Sequence, residues 1–169
     1  MAFESCFDII GPIMVGPSSS HTAGVVSIGK FAHDYMGGPP EKVEIVFYDS
    51  FAETYRGHGT DQAIVGGLLG MGADDTRIRY ALEEAHRRKV KIRFRLEESC
   101  PFYDHPNTVL VWAERGGEIF TVGGVSLGGG LSRIFMLDGS TVDLLYGTVD
   151  AWSLRNNRRK PLNPAPARS

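Results

Sequence analysis

The sequence predicts an α+β fold in which helices pack on a mainly antiparallel sheet within a single domain. Three observations carry that reading. Apolar residues recur at helical spacing through most of the first half, whereas alternation of apolar and polar residues dominates the second. Two pairs of alternating segments are joined by turn sequences, Arg115-Gly116-Gly117 and Asp138-Gly139, as in hairpins. The 169-residue chain is 42% hydrophobic, enough to bury one core.

Taken in order, residues Ser5 to Val15 are mostly apolar and predict a short extended segment. The stretch Gly16 to Gly24 then reads as a polar loop feeding a helix. From Thr22 to Tyr35, Val25, Ile28, Gly29, Ala32 and Tyr35 keep helical spacing, and Gly37-Gly38-Pro39-Pro40 stops the helix. Val43, Ile45 and Phe47 alternate as in a strand. The segment Gln62 to Met71 predicts a buried helix, its glycines permitting close backbone packing. Asp74-Asp75-Thr76 caps a third helix running to Arg88. Val90 to Leu96 is a strand with one solvated face. Thr108 to Glu114 pairs with Glu118 to Val122, and Arg133 to Leu137 with Thr141 to Leu145. This gives one domain over residues 1–151 and a polar, disordered tail or linker over 152–169.

Composition removes several function classes. Eighteen Lys and Arg against 20 Asp and Glu give a net charge of -2, so neither a nucleic-acid surface nor a polybasic membrane anchor is expected. The basic cluster Arg155 to Lys160 reads as a solvated tail. No run approaches the ~20 apolar residues that span a bilayer, and no secretory leader pattern opens the chain. Cys6 and Cys100 are the two cysteines; they form no zinc-ligand spacing and are too few for an iron–sulfur cluster. Such low cysteine usage fits a reducing cytoplasm. There is no Walker loop and no nucleophile elbow.

Four constellations carry chemistry. Ser18, Ser19, Ser20, His21 and Thr22 crowd four hydroxyls and an imidazole at a helix start, where free N–H groups and the helix dipole favour an anion. One N-cap explains one or two of those hydroxyls, not the set. Gly57-His58-Gly59-Thr60-Asp61 holds His58 between glycines, either turned into a cleft or simply preceding a capped helix. In His105-Pro106-Asn107-Thr108, Pro106 keeps His105 extended, and the segment reads equally as a turn. Gly123 to Gly130 offers backbone N–H groups to an anion, or else close packing. His33 and His86 fall on helices as positions without chemistry.

Together with Phe7-Asp8-Ile9-Ile10-Gly11-Pro12, the motifs Gly16–Gly24, Gly57–Asp61 and His105–Thr108 resemble the β subunit of bacterial iron–sulfur-dependent L-serine dehydratases. The resemblance covers roughly residues 3 to 150, and it is the order of separate motifs that makes it specific. It implies deamination of L-serine to pyruvate and ammonia. It also implies a [4Fe–4S] cluster held by cysteines of a partner α subunit and acting as a Lewis acid, and a fold related to the allosteric substrate-binding domain of some D-3-phosphoglycerate dehydrogenases. On that basis His21 is expected to be the catalytic base. Ser18, Ser19, Ser20, Thr22, His58 and Asn107 are expected to bind substrate, with His105 lining the same cleft. This chain is expected to hold no metal itself and to act only with the α subunit. No ACT regulatory domain is expected in it, and a homodimer is plausible for such sheet domains. The alternative reading is a non-catalytic module that binds a small anion or effector.

Overall fold

A computed structural model describes residues 19–48, 59–128 and 130–145. Its elements are α1 (Ser19–Met36), β1 (Lys42–Tyr48), α2 (Thr60–Leu68), a 3-10 helix (Thr76–Tyr80), α3 (Ala81–Arg87), β2 (Lys91–Glu97), β3 (Thr108–Arg115), β4 (Glu118–Gly128), β5 (Leu131–Leu137) and β6 (Ser140–Leu145). The six strands form one sheet in the order β2-β1-β3-β4-β5-β6. Every neighbouring pair is antiparallel except β1 and β2, whose parallel pairing is made possible by the intervening helices. The fold is thus α+β with a mainly antiparallel sheet. The expected segment Ser5 to Val15, and the tail from residue 152, lie outside the described residues.

The hairpins follow from local chemistry. Gly116 (φ 58°) and Gly117 (φ 78°) supply the paired left-handed angles that a two-residue turn between β3 and β4 requires. Asp138 (φ 51°) and Gly139 (φ 82°) do the same between β5 and β6. Asp138 also ties this hairpin to the rest. Its Oδ1 accepts from the Thr121 N–H at 3.0 Å, and its other carboxylate oxygen accepts from the buried Tyr35 hydroxyl of α1.

One face of the sheet is covered by α1 and α2. Ile45, Phe47, Val111, Phe120, Val122 and Ile134 point inward, against Ile28, Phe31 and Met36 of α1 and Ile64 and Leu68 of α2. Seven of the nine α2 residues are buried, which is why that segment is apolar on nearly every side. The other face carries a smaller cluster, Val46, Tyr48, Leu110, Phe135 and Met136, partly covered by Cys100 and Tyr103 from the β2–β3 connection.

Small residues set how closely the layers approach. A Cβ on Gly29 would lie 2.5 Å from the Ile64 carbonyl oxygen, and one on Gly67 would lie 2.3 Å from that of Val26. The two helices therefore touch backbone to backbone. Further along, Gly70 meets the His33 ring. The contacts advance in the same direction along both helices, so α1 and α2 run in the same sense with their N-termini toward one end.

Two differences from the sequence reading have physical causes. The third helix is split, with a 3-10 turn capped by Asp75 preceding a short α3. The glycine-rich segment is no loop: Gly123 to Gly128 continues β4, with register shifts at Gly123/Gly124 and Ser126/Gly128. Its glycines serve contact, since a Cβ on Gly124 would strike Ile28 at 2.8 Å. Close packing thus accounts for Gly123 and Gly124.

Two stability outcomes follow. Gly67→Ala should destabilise the chain by about 3 kcal/mol, at the upper end of overpacking effects, because backbone atoms cannot step aside; urea denaturation measures it. Asp75 accepts from the Arg77 N–H at 2.9 Å and from its guanidinium at 2.7 Å, and this hydrogen bonding holds its carboxyl below the usual range. Its contribution is therefore present above the unfolded-state pKa and is lost as pH falls through the lower folded value. Asp75→Ala should be about 1 kcal/mol less stable than wild type near neutral pH, with the gap closing in acid titrations.

Candidate functional site

Among the described residues, the α1 N-terminus and the His105–Thr108 segment singled out in the sequence adjoin the same end of β4. Ser19, Ser20, His21 and Thr22 lie on the first turn of α1 itself, not in a loop before it. Ser, His and Thr are only modestly poorer helix formers than alanine, so the packing of the following turns carries the helix through them. The first four N–H groups of any helix lack intrahelical acceptors and sit at the positive end of the dipole. No acidic residue occupies this first turn, so the helix brings no carboxylate of its own to compete for an incoming anion. Thr22 is buried. Ser18 and His58 lie outside the described residues. Gly59, next to His58, is the N-cap position of α2 in the left-handed region (φ 71°).

What holds the α1 N-terminus in place is β4. A Cβ on Gly24 would lie 2.2 Å from Ser126 Oγ and 3.0 Å from the Leu131 carbonyl oxygen. Ser27 Oγ donates to the Ala23 carbonyl at 3.2 Å and reaches the Gly130 carbonyl at 3.5 Å. Four residues later Ile28 rests on Gly124, so α1 runs back along β4 and its first turn projects past Ser126.

The His105–Thr108 segment meets β4 at the same level. The Ser126 N–H donates to the Asn107 carbonyl at 3.0 Å, one step beyond the Thr108–Val125 pair. The Asn107 backbone thus joins the Ser126 level of β4 just before β3 begins. Ser126 in turn pairs with Ser132 of β5. Two serines, Ser126 and Ser132, thus pair across β4 and β5 where the apolar inner face, with Val109 and Ile134, ends. Ser132 was not anticipated. A serine at the head of a strand carries no sequence signal beyond its polar character at an inward position.

His105 is held by its own loop. The Asn107 N–H donates to His105 Nδ1 at 3.1 Å, and Thr108 Oγ1 donates to the His105 carbonyl at 2.6 Å. With Nδ1 accepting, the neutral ring carries its proton on Nε2 and presents a donor there. The segment is a turn, as its composition suggested, and that turn fixes the imidazole tautomer.

Other features have less chemistry. Among the described residues no three His, Cys, Asp or Glu side chains are grouped to hold a metal. Cys100 is a free thiol on the opposite face of the sheet, and Cys6 lies outside the described residues. This chain's residues therefore do not fit as ligands of a [4Fe–4S] cluster, which needs three or four thiolates. An apolar hollow of about 310 Å³ on the outer face, lined by Phe102, Leu110, Trp112 and Phe135 among others, contains no titratable group. His86 is exposed. His33 is half-buried, with Nδ1 at 2.9 Å from Asp34 Oδ1, in a surface cluster with Lys30. No described helix is long and apolar enough to cross a membrane.

Comparison with known proteins bears on the same residues. The family model for the serine dehydratase beta chain matches residues 5–127. The chain is 48% identical over 140 residues to the probable L-serine dehydratase, beta chain, of Bacillus subtilis, covering 82% of this chain and 62% of that protein. It is 41% identical over 152 residues to the L-serine dehydratase, beta chain, of Peptoniphilus asaccharolyticus, covering 88% and 68%. With an L-serine dehydratase of Streptomyces coelicolor it shares 30% identity over 149 residues, 75% of this chain and 32% of the other. The chain thus spans about two thirds of the length of the two beta chains it matches, and the family match covers the α1 N-terminus, the Gly57–Asp61 motif and the His105–Thr108 segment. It belongs to the serine dehydratase beta chain family.

Proposed function

We propose that this chain is the β part of an L-serine dehydratase, an L-serine ammonia-lyase that converts L-serine to pyruvate and ammonia in the cytoplasm. In this reading it works with an α subunit whose cysteines hold a [4Fe–4S] cluster. One observation supports the reading above all: the α1 N-terminus and the His105–Thr108 turn adjoin the same end of β4. An amino acid substrate brings a carboxylate, which suits a helix N-terminus surrounded by hydroxyls.

Within that reading the residues divide their work. The free N–H groups of the first turn of α1 and the hydroxyls of Ser18, Ser19, Ser20 and Thr22 hold and orient the carboxylate, with Asn107 and His58 beside them. Neutral His21 takes the α-hydrogen as a proton. Loss of that proton and of the β-hydroxyl leaves aminoacrylate. Aminoacrylate tautomerises to the imine, and water releases ammonia and pyruvate. His105, proton on Nε2, is a donor and cannot serve as base at that nitrogen; it is suited to bonding a substrate oxygen.

Two variants test the division. In a complex with an α subunit, after anaerobic cluster reconstitution, His21→Ala should lower kcat by about 10²- to 10⁴-fold, the usual worth of a positioned base. In the wild type the rate should rise with pH through the His21 pKa, because only the neutral imidazole accepts a proton. Undiminished kcat would favour a passive anion-binding module. His105→Gln puts an amide N–H near the position of imidazole Nε2 and should keep activity within about tenfold of wild type, whereas His105→Ala should lose about 10- to 100-fold. Pyruvate formation over a pH series reads both.

A further inference from the structure

The outer face of the sheet, turned away from α1 and α2, is only partly covered. The β2–β3 connection lays Cys100 and Tyr103 over the outer cluster, with Tyr103 stacked on Phe135. Beside that cover lies an open groove. One hollow of about 310 Å³ runs from Thr141 and Met136 to Trp112, and a second of about 460 Å³ runs from Trp112 to Glu97. Phe102, Leu110 and Trp112 line both, so the two join into one groove that crosses the strands. Phe102 is 58% exposed and Trp112 is 43% exposed. Aromatic side chains left open along a contiguous apolar groove mark a surface that another segment covers.

We infer that the occupant is the chain's own continuation, residues 146–169, with Trp152 in the hollow beside Met136 and Trp112 and the basic run Arg155 to Lys160 against the β2–β3 connection. Reach supports this placement. Leu145, Arg133, Val125 and Thr108 stand side by side across β6, β5, β4 and β3, and Trp112 lies further along β3. At about 4.8 Å between strands and about 3.3 Å per residue along them, Leu145 is roughly 20 Å from Trp112. Tyr146 to Trp152 extends over about 23 Å at the same rise. Leu145 starts this path on the groove's side of the sheet, since Leu144 packs into the inner core and successive side chains alternate. Charge supports the placement independently. From Ala151 onward the chain carries Arg155, Arg158, Arg159, Lys160 and Arg168 and no acidic residue. The connection from Glu97 to Asn107 carries Glu97, Glu98 and Asp104, all exposed, and neither Lys nor Arg. From Trp152, Arg155 can cross β1 and reach β2, about 10 Å beyond β3. The α1 end of the molecule stays open, and the docking holds whatever reaction the chain serves.

The two tryptophans of the chain form the two sides of this contact, so each reports on it. In the full chain, Trp112→Phe leaves Trp152 as the emitter. Its fluorescence should be blue-shifted and protected from acrylamide, as for a buried indole. Emission and quenching equal to those of free tryptophan would overturn the inference. From the other side, Trp152→Phe leaves Trp112 as the emitter and keeps an aromatic anchor, whereas Trp152→Ala removes the anchor. Acrylamide should quench Trp112 about twofold more steeply in the alanine variant, because a docked ring covers the open part of the indole. Equal quenching in both, together with a hydrated Trp152, would leave the groove empty. Glu97→Lys with Glu98→Lys, added to Trp112→Phe, should expose Trp152 through like-charge repulsion with the basic run. Unchanged protection would remove the basic run from the β2–β3 connection. Sedimentation identifies the occupant. Protection of Trp152 in a monomer sustains the inference. Protection found only in a dimer would give the groove to a second copy, and protection found only after an α subunit is added would give it to that partner; either result would overturn docking of the chain's own continuation.

Discussion

The arrangement depends on backbone lying directly on backbone at α1. Gly29 and Gly67 let two helices meet with no side chain between them, and Gly24 and Gly124 let α1 settle onto β4. Helix axes normally stand 8–10 Å apart, a spacing set by the side chains at the contact. With none at these points, α1 is held between α2 and the sheet, and every residue from Thr22 to Gly29 is buried. A helix clamped in this way cannot slide or roll by much without a backbone clash. Its N-terminal N–H groups consequently have a fixed position relative to β4, β5 and the turn before β3. A site built from a helix end needs that rigidity more than it needs any one side chain, because the donors are the backbone itself.

The same clamp explains where the core stops. Along the inner face, Val109, Gly124 and Ile134 stand at one level under Ile28, and Ser126, under Gly24, and Ser132 at the next. Crossing from apolar to polar within one step of two adjacent strands is not required by the hydrophobic core, which would tolerate aliphatic residues there. It places hydrogen-bonding groups below the α1 N-terminus and gives the fold a polar end next to a dry interior. Burial of such groups is unfavourable unless each has a partner, and of these only the Ser132 hydroxyl is left without one.

Much of this was legible in the residues. The strands, both hairpin turns and the helix stop at Gly37-Gly38 followed from periodicity and turn chemistry, because those signals are local. His105-Pro106-Asn107-Thr108 was legible as a turn, but the bond from the Asn107 N–H to His105 Nδ1, which fixes the tautomer, depends on backbone geometry that no spacing rule supplies. The glycine-rich stretch was ambiguous for the opposite reason. Glycines that cradle an anion and glycines that admit a neighbouring side chain look alike in one dimension, and at Gly124 it is the approach of Ile28 that shows packing. Ser132 was invisible, since its significance lies in a pairing with Ser126 and an unmet hydrogen bond. The parallel pairing of β1 with β2 was likewise hidden, because register between distant strands is a tertiary property.

The balance of charge at the site bears on why such a chain should need a partner. Ser, Thr, Asn, neutral histidine and helix N–H groups stabilise an anion without adding a full positive charge. That suits binding of a carboxylate and release of an anionic product. It does little for the harder problem in the proposed reaction, in which a weakly acidic C–H must ionise while a hydroxide-like group departs. Neutral hydrogen bonds fall short of that demand, and a concentrated positive charge such as a metal centre meets it. None of the described residues groups into a metal site, and two cysteines cannot build a four-thiolate cluster. On the proposed reading the chain's own chemistry is that of orientation and proton transfer, and the electrophile must come from the partner. A surface that is complete for binding yet incomplete for bond breaking is the physical form a beta chain would take when its counterpart holds the metal.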